Sequence, residues 1–271
     1  LSPSSAASDV YKRQQSKHAL ERNDKMSNPT LDLLNQHMSI RAFTDDPVTD
    51  EQVQEIFHAA VAGPNMNNYQ PVTFIEITSQ KLKAEITAQV GMKYIETATR
   101  YFVVAVDYNK DLIGLTPEEK ALAEENIKRY NVLEGGIISA GIALGRAQVA
   151  AESLGLGSVT MAGALKAFEL YESELNLPKY VKAVMGFSIG YPAQDPGIKP
   201  KLDLDGVLMK DGYHQEQMVE AVMRYDKIMT DYYAQRGVTR SWISNNVRML
   251  TANRDTSELT QYTQNKGFNL K

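Results

Sequence analysis

The apolar positions of this chain change period along its length, and each change marks an element. Tyr101-Phe102-Val103-Val104-Ala105-Val106 is an almost unbroken apolar run. A strand with no polar face is covered on both sides, so this run predicts the centre of a sheet. Val72-Thr73-Phe74-Ile75-Glu76-Ile77-Thr78 predicts another strand from its β-branched content, and residues 158–161 and 181–192 predict two more. Elsewhere the period is helical. Leu31-Asp32-Leu33-Leu34 predicts a short helix capped by Thr30 and ending near Ser39. Thr49-Asp50-Glu51 opens a second, with Val53, Ile56, Phe57, Ala60 and Val61 on one face and a stop at Gly63-Pro64. Residues 79–90, 166–175 and 215–236 predict further helices, and a polar arm closes the chain.

Residues 117–154 read mostly as helix. The stretch is charged to about Arg129, then apolar almost all round and rich in Gly and Ala from Val132 to Leu154. Such a helix must be buried on every side, in a core or at a subunit seam. Gly155-Leu156-Gly157 ends it. Helices on both sides of four or more strands give an α+β domain. No repeat and no Gly-, Pro- or Ser-rich linker divides residues 26–271, which read as a single domain with an arm from about 237. Residues 1–25 are polar, and Met26 resembles a natural start, so 1–25 are expected to be a disordered extension or an artefact.

Composition narrows the function. Hydrophobic residues make up 43% of the chain, the net charge is −4 and the pI about 5.7, so no basic field for nucleic acid is expected. No apolar run approaches the ~20 residues of a membrane span, and residues 1–25 lack the apolar core of a signal peptide. A cytoplasmic location is expected. There is no cysteine, and the 4 histidines lack metal-binding spacing.

No nucleophile–base pair, Gly-rich nucleotide loop or carboxylate pair stands out, so a cofactor is expected to carry any chemistry. Gly155 and Gly157 precede a strand and lack a third glycine, which reads as a helix end. Three separated elements suit a flat anionic ligand. Ser39 and Arg41 offer a hydroxyl and a bidentate cation. Lys199 and Lys201 alternate around Pro200. Met161-Ala162-Gly163 offers small residues and backbone N–H groups after a strand.

Six motifs, in this order, carry a resemblance. They are His37-Met38-Ser39-Ile40-Arg41, Asn68-Tyr69-Gln70-Pro71, Ala151-Glu152-Ser153-Leu154-Gly155-Leu156-Gly157, Gly190-Tyr191-Pro192, Ile198-Lys199-Pro200-Lys201-Leu202 and Tyr232-Tyr233-Ala234-Gln235-Arg236-Gly237. From Met26 to about Trp242 the chain resembles the FMN-dependent nitroreductase family, in its NADPH-preferring flavin reductase-like branch. The resemblance implies a nitroreductase-like α+β fold, with a central, mostly antiparallel sheet flanked by helices. It implies a homodimer whose long buried helix forms the seam, with FMN at the subunit interface. It assigns His37, Ser39, Arg41, Lys199 and Lys201 to the FMN phosphate and ribityl chain. It lays Met161, Ala162 and Gly163 along the flavin, and brings Asn65, Met66 and Asn68 from the other subunit. It implies that Arg236, with Arg240 as second candidate, engages the extra phosphate of NADPH. Three positions depart from the family pattern. Met38 stands where an Arg is common, Asn65-Met66 where Ser-Ser is common, and Met92 near the ring where Gln is common.

The implied activity is ping-pong hydride transfer from NADPH through FMN to a small aromatic acceptor, such as a nitroaromatic, a quinone or free flavin. The alternative is an FMN-binding carrier or sensor without significant turnover.

Overall fold

The computed structural model of the chain describes residues 28–253 and 255–269, so the reading of 1–25 lies outside the described residues. Where the sequence suggests one domain from Met26, the chain divides into two units between His37 and Met38. The first contains helix α1, Pro29–Asn35. Its cap is Asn28, whose side chain accepts from the N–H groups of Thr30 and Leu31, both at 3.1 Å. Thr30 lies inside the helix and is not the cap. The helix closes at Gln36, short of Ser39, because the Gln36 N–H turns back to the Leu33 carbonyl in a tight final turn.

The second unit is built on four strands: β1 Val72–Glu76, β2 Arg100–Asp107, β3 Gly157–Met161 and β4 Val181–Gly190. Their order is β1-β2-β4-β3 and every pairing is antiparallel. Alternate side chains of β2 enter different cores, as the period of two in a strand requires. Phe102, Val104 and Val106 join one core with residues of α2 (Asp50–Val61) and α5 (Tyr130–Ser153). Tyr101, Val103 and Ala105 join another on the opposite face, with Ile86 of α3 (Gln80–Val90) and Tyr171 of α6 (Phe168–Leu175). The Tyr101 and Tyr171 hydroxyls meet at 2.8 Å in that second core. Burial raises both phenols, Tyr171 to about 12.

Local signals explain the helix starts. Thr49 and Gln52 form a reciprocal capping box at α2, and Ser79 caps α3. Val61, expected on the apolar face of α2, is 57% exposed. The stretch 117–154 is two helices, α4 (Pro117–Ile127) and α5, not one. Arg129 between them is extended, and the Lys128 carbonyl accepts the N–H of Asn269 instead of continuing a helix. Residues 162–167 form a 3₁₀ turn ahead of α6, so that helix starts at Phe168 rather than Lys166.

Helix α5 buries Leu133, Gly136, Ser139, Ala140, Ala143, Leu144, Ala147 and Ala151. Within this chain it is not buried on every side. Ile137, Ile138 and Ile142 are 45, 58 and 36% exposed. Gly141 and Gly145 have open space where a side chain would begin. At its C-terminus Gly155 takes a φ of 77°, and the Leu156 N–H reaches back to the Ala151 carbonyl at 3.0 Å. This is the Schellman closure that a glycine at that position allows.

Helix α7 (Gln215–Ala234) is followed by two more helices, α8 (Trp242–Leu250) and α9 (Ser257–Asn265), where the sequence suggests a polar arm. Trp242 packs on Tyr225 of α7, with ring centroids 5.5 Å apart. Tyr262 of α9 and Phe268 beyond it are buried, and the Tyr262 hydroxyl accepts the Ala183 N–H at 3.0 Å. Two aromatic anchors thus order an otherwise polar segment.

Candidate functional site

Residues 39–44 run along the edge of β3 and past the end of β4. Ser39 bridges Ser158 in the parallel sense, and the Ile40 N–H donates to the Ser158 carbonyl at 2.9 Å. Phe43 then bridges Pro192, and the Thr44 N–H donates to the Tyr191 carbonyl at 2.9 Å. The register pairs Gly157 with Gly190 across β3 and β4. A β-carbon on Gly157 would lie 2.6 Å from Ile40, and one on Gly190 would lie 2.9 Å from the Phe43 ring. Gly155 therefore ends the helix, as expected, whereas Gly157 opens β3 and makes room for Ile40.

Ile40 is buried and Arg41 beside it is exposed. Among the described residues the Arg41 guanidinium donates only to the Ser39 carbonyl, at 3.4 Å, and it stands 6.0 Å from the Tyr94 ring centroid. Among the described residues it makes no ion pair. Tyr94 lies in the turn just after Met92, and its carbonyl accepts the Ser188 hydroxyl at 3.2 Å. Met92 rests on Gly163, where a β-carbon would be 2.3 Å from its methyl group. Ala162 is exposed and Gly163 half-buried, while Met161 turns into the core at 3% exposure. These contacts set Ser39 beside the start of β3, Arg41 beside Tyr94, and Met92 on Gly163 just past the end of β3. His37 is half-buried at the end of the first unit.

A second group of cations surrounds the end of α7. Lys199 donates to the Tyr233 hydroxyl at 3.3 Å and lies 5.5 Å from that ring's centroid. Arg240 faces the same ring at 5.9 Å. Arg236 stacks on Tyr232 at 3.7 Å and donates to the carbonyls of Tyr232 (3.3 Å) and Pro196 (3.0 Å). The Tyr225 hydroxyl holds the Pro200 carbonyl at 2.9 Å, so both sides of Lys199 are tied to α7. Lys201 is exposed and makes no ion pair among the described residues.

The amide loop is a third group, docked on α5. The Met66 N–H donates to Ser139 Oγ at 3.0 Å, and Asn65 Oδ1 accepts the Gln70 N–H at 2.9 Å. Asn65, Asn68, Tyr69, Gln70, Lys110 and Ser139 line a cleft of about 520 Å³. Burial raises the pKa of Asp111, also on its wall, above the ordinary carboxylate value. Among the described residues no hydrogen bond or ion pair joins this loop to the other two groups. Motif spacing did not point to Tyr94 or Ser139, and it named Tyr233 without its contact to Lys199. Their roles come from contacts with residues far away in sequence.

Residues 34–191 match the nitroreductase family, and residues 199–271 match the nitroreductase family, C-terminal domain. An FMN reductase [NAD(P)H] of Bacillus subtilis is 36% identical over 225 residues, covering 79% of this chain and 88% of that protein. An oxygen-insensitive NADPH nitroreductase of Salmonella typhimurium is 31% identical over 243 residues, covering 89% and 98%. Among solved structures, the hypothetical oxidoreductase YcnD of Bacillus subtilis superposes with a TM-score of 0.84 at 31% identity, over 90% of this chain and 100% of that one. The NADPH:FMN oxidoreductase of Vibrio harveyi, complexed with NAD+, gives 0.78 at 27% identity, over 90% and 100%. Sequence motifs, antiparallel sheet and relatives agree: the chain belongs to the nitroreductase family.

Proposed function

We propose that the chain is an NADPH-dependent FMN oxidoreductase acting as a homodimer on a small aromatic acceptor, such as a nitroaromatic, a quinone or free flavin. The observation that carries the reading is the pair of exposed cations, Arg41 and Lys201, without ion pairs among the described residues. The names of the relatives point the same way: FMN reductase, NADPH nitroreductase and NADPH:FMN oxidoreductase.

The donor set fits a phosphate-bearing flavin. A guanidinium has five N–H donors, and Arg41 gives one bond to Ser39, leaving a fork for phosphate oxygens. Ser39, Arg41 and Lys201 would hold the phosphate and ribityl chain, with Lys199 as a further candidate. Ala162 and Gly163 would leave a flat face for the ring, with Met161 behind them and Met92 at the edge. Asn65 and Asn68, on the loop that Met66 anchors to α5, would reach the neighbouring subunit's flavin. The exposed isoleucines of α5, with Gly141 and Gly145 between them, support that helix as the seam.

FMN, when bound, supplies a two-electron carrier that takes hydride from NADPH and passes it to the acceptor, so one site serves both substrates in turn. The chain's part is to bind, orient and polarise. No side chain is assigned to bond-making. Arg236 and Arg240 would read the 2′-phosphate of NADPH.

The test is an absorbance spectrum of the purified protein, followed by anaerobic NADPH titration and then addition of an acceptor. Flavin bands that bleach with NADPH and return with acceptor are expected. Colourless protein that binds no added FMN sinks the reading. Bands that never bleach leave a flavin carrier instead. Arg41→Ala should weaken FMN binding by roughly tenfold to a hundredfold, the range for one charge-assisted hydrogen bond.

A further inference from the structure

The amide loop is held in a shape that its own residues do not favour. Asn67, Asn68 and Gln70 have φ values of 48°, 58° and 50°. This is the left-handed region, tolerable for Asn and strained for Gln. Helix α5 is carved to receive the loop. A β-carbon on Gly135 would lie 2.0 Å from Met66 Sδ, so glycine there makes room for Met66 as it is docked. Ser139, 2% exposed, donates to the Gly135 carbonyl at 2.7 Å and accepts the Met66 N–H at 3.0 Å. From the other side, Lys110 Nζ donates to the carbonyls of Gln70 (3.2 Å) and Val72 (3.0 Å) and to Thr73 Oγ1 (3.1 Å). Met66 thus turns into its own chain, with Sδ 3.9 Å from the Tyr108 hydroxyl, while Asn67 and Asn68 stay exposed.

We infer that Ser139 and Lys110 are positioning residues for the flavin: they lock the 65–70 loop in its left-handed form so that Asn68 is presented to the ring edge, with Met66 as the loop's anchor and not a flavin contact. The inference rests on the reading of this loop as part of the neighbouring subunit's flavin site. Its physical content is pre-organisation. Donors fixed before the ring gains charge stabilise that charge without reorganising. Donors on a loop free to relax toward negative φ must first be ordered, and the ring's affinity for electrons falls accordingly.

The test uses the FMN-loaded protein and three variants. Asn68→Gly removes the amide and keeps a backbone that tolerates positive φ. Ser139→Ala and Lys110→Met each remove one pin and leave the loop sequence untouched. The readouts are the FMN dissociation constant and the midpoint potential, with circular dichroism to confirm folding. All three variants should lower the potential and weaken FMN binding, by roughly threefold to tenfold for the loss of one hydrogen bond. If Asn68→Gly does so while folded Ser139→Ala and Lys110→Met match the parent, the positioning role is overturned and the flavin site stands. If Asn68→Gly also matches the parent, the loop is no part of the flavin site and the inference falls with that reading. Should Ser139→Ala fail to fold, Lys110→Met decides alone, because its side chain lies at the surface of the loop.

Discussion

Ile40 fills the space that any side chain on Gly157 would need: its Cγ1, Cβ and Cγ2 lie 2.6, 2.8 and 2.9 Å from the position of a β-carbon there. Gly190, paired with Gly157, is closed by Phe43 in the same way. The two glycines form a shelf for residues 39–44, and the shelf sets where Arg41 emerges.

Gly157→Ala should therefore be expensive. Ile40 is branched at Cβ and buried, so it cannot swing aside, and overpacking of this kind costs about 1–3 kcal/mol. Gly163→Ala is the control. There the obstacle is the methyl end of Met92, which is flexible and can move. Thermal unfolding without FMN should drop clearly for Gly157→Ala and little for Gly163→Ala. Equal melting temperatures would mean that residues 39–44 are not held by the shelf.

Arg236 and Arg240 differ in how much of each is already engaged. Arg236 is bonded to Pro196 and stacked on Tyr232, whereas Arg240 faces Tyr233 with no hydrogen bond or ion pair among the described residues. Arg240→Ala should raise KM for NADPH roughly tenfold, as for one charge-assisted bond, and leave NADH kinetics and FMN content alone. Arg236→Ala should raise KM for NADPH too, and also loosen residues 196–199, seen as faster proteolysis there. If NADH and NADPH suffer equally in Arg240→Ala, that residue does not read the extra phosphate.

Ile138 is the most exposed isoleucine of α5. Its replacement by glutamate leaves the chain's own core untouched and puts a charge on the proposed seam. Light scattering of Ile138→Glu at micromolar concentration should give a monomer mass with little change in helicity. A dimer as tight as the parent's would exclude this face as the seam.

Lys182 gives a pH signature. It is 8% exposed, with its ammonium 5.2 Å from the Tyr262 ring centroid, and burial pushes its pKa down to about 8 from an ordinary 10.5. Between those values the unfolded chain holds the proton and the folded chain has released it, so this group makes stability rise with pH across that window. Below pH 8 both forms are charged and the penalty, about 3 kcal/mol, is present in full. Lys182→Met should raise the neutral-pH melting temperature and flatten the rise between pH 8 and 10.5. Burial lowers the pKa of Lys83 as well, which is why the difference between parent and variant is the quantity to measure.

What was legible in the sequence was mostly local. The apolar run of β2 and the helix start at Thr49 declare themselves within a few residues, and both are where the pattern predicts. The break between α4 and α5 was not legible, because it depends on Asn269 reaching Lys128 from the far end of the chain. Helix α9 was hidden because Tyr262 and Phe268 do their packing from within a polar stretch. At the candidate site, the charged residues could be named from motifs. Their immobile surroundings could not: the Gly157–Gly190 shelf, Tyr94 and the Ser139 hydroxyl act only once the sheet and α5 exist.

Gly141 and Gly145 lie in mid-helix with nothing near their open sides. Each makes α5 weaker than alanine would, by roughly 1 kcal/mol, and among the described residues no contact compensates. With α5 as the seam, the compensation comes from the second copy, so folding and assembly share one free energy. The melting temperature of this protein would then be a function of its concentration, and dilution alone would bring it toward unfolding.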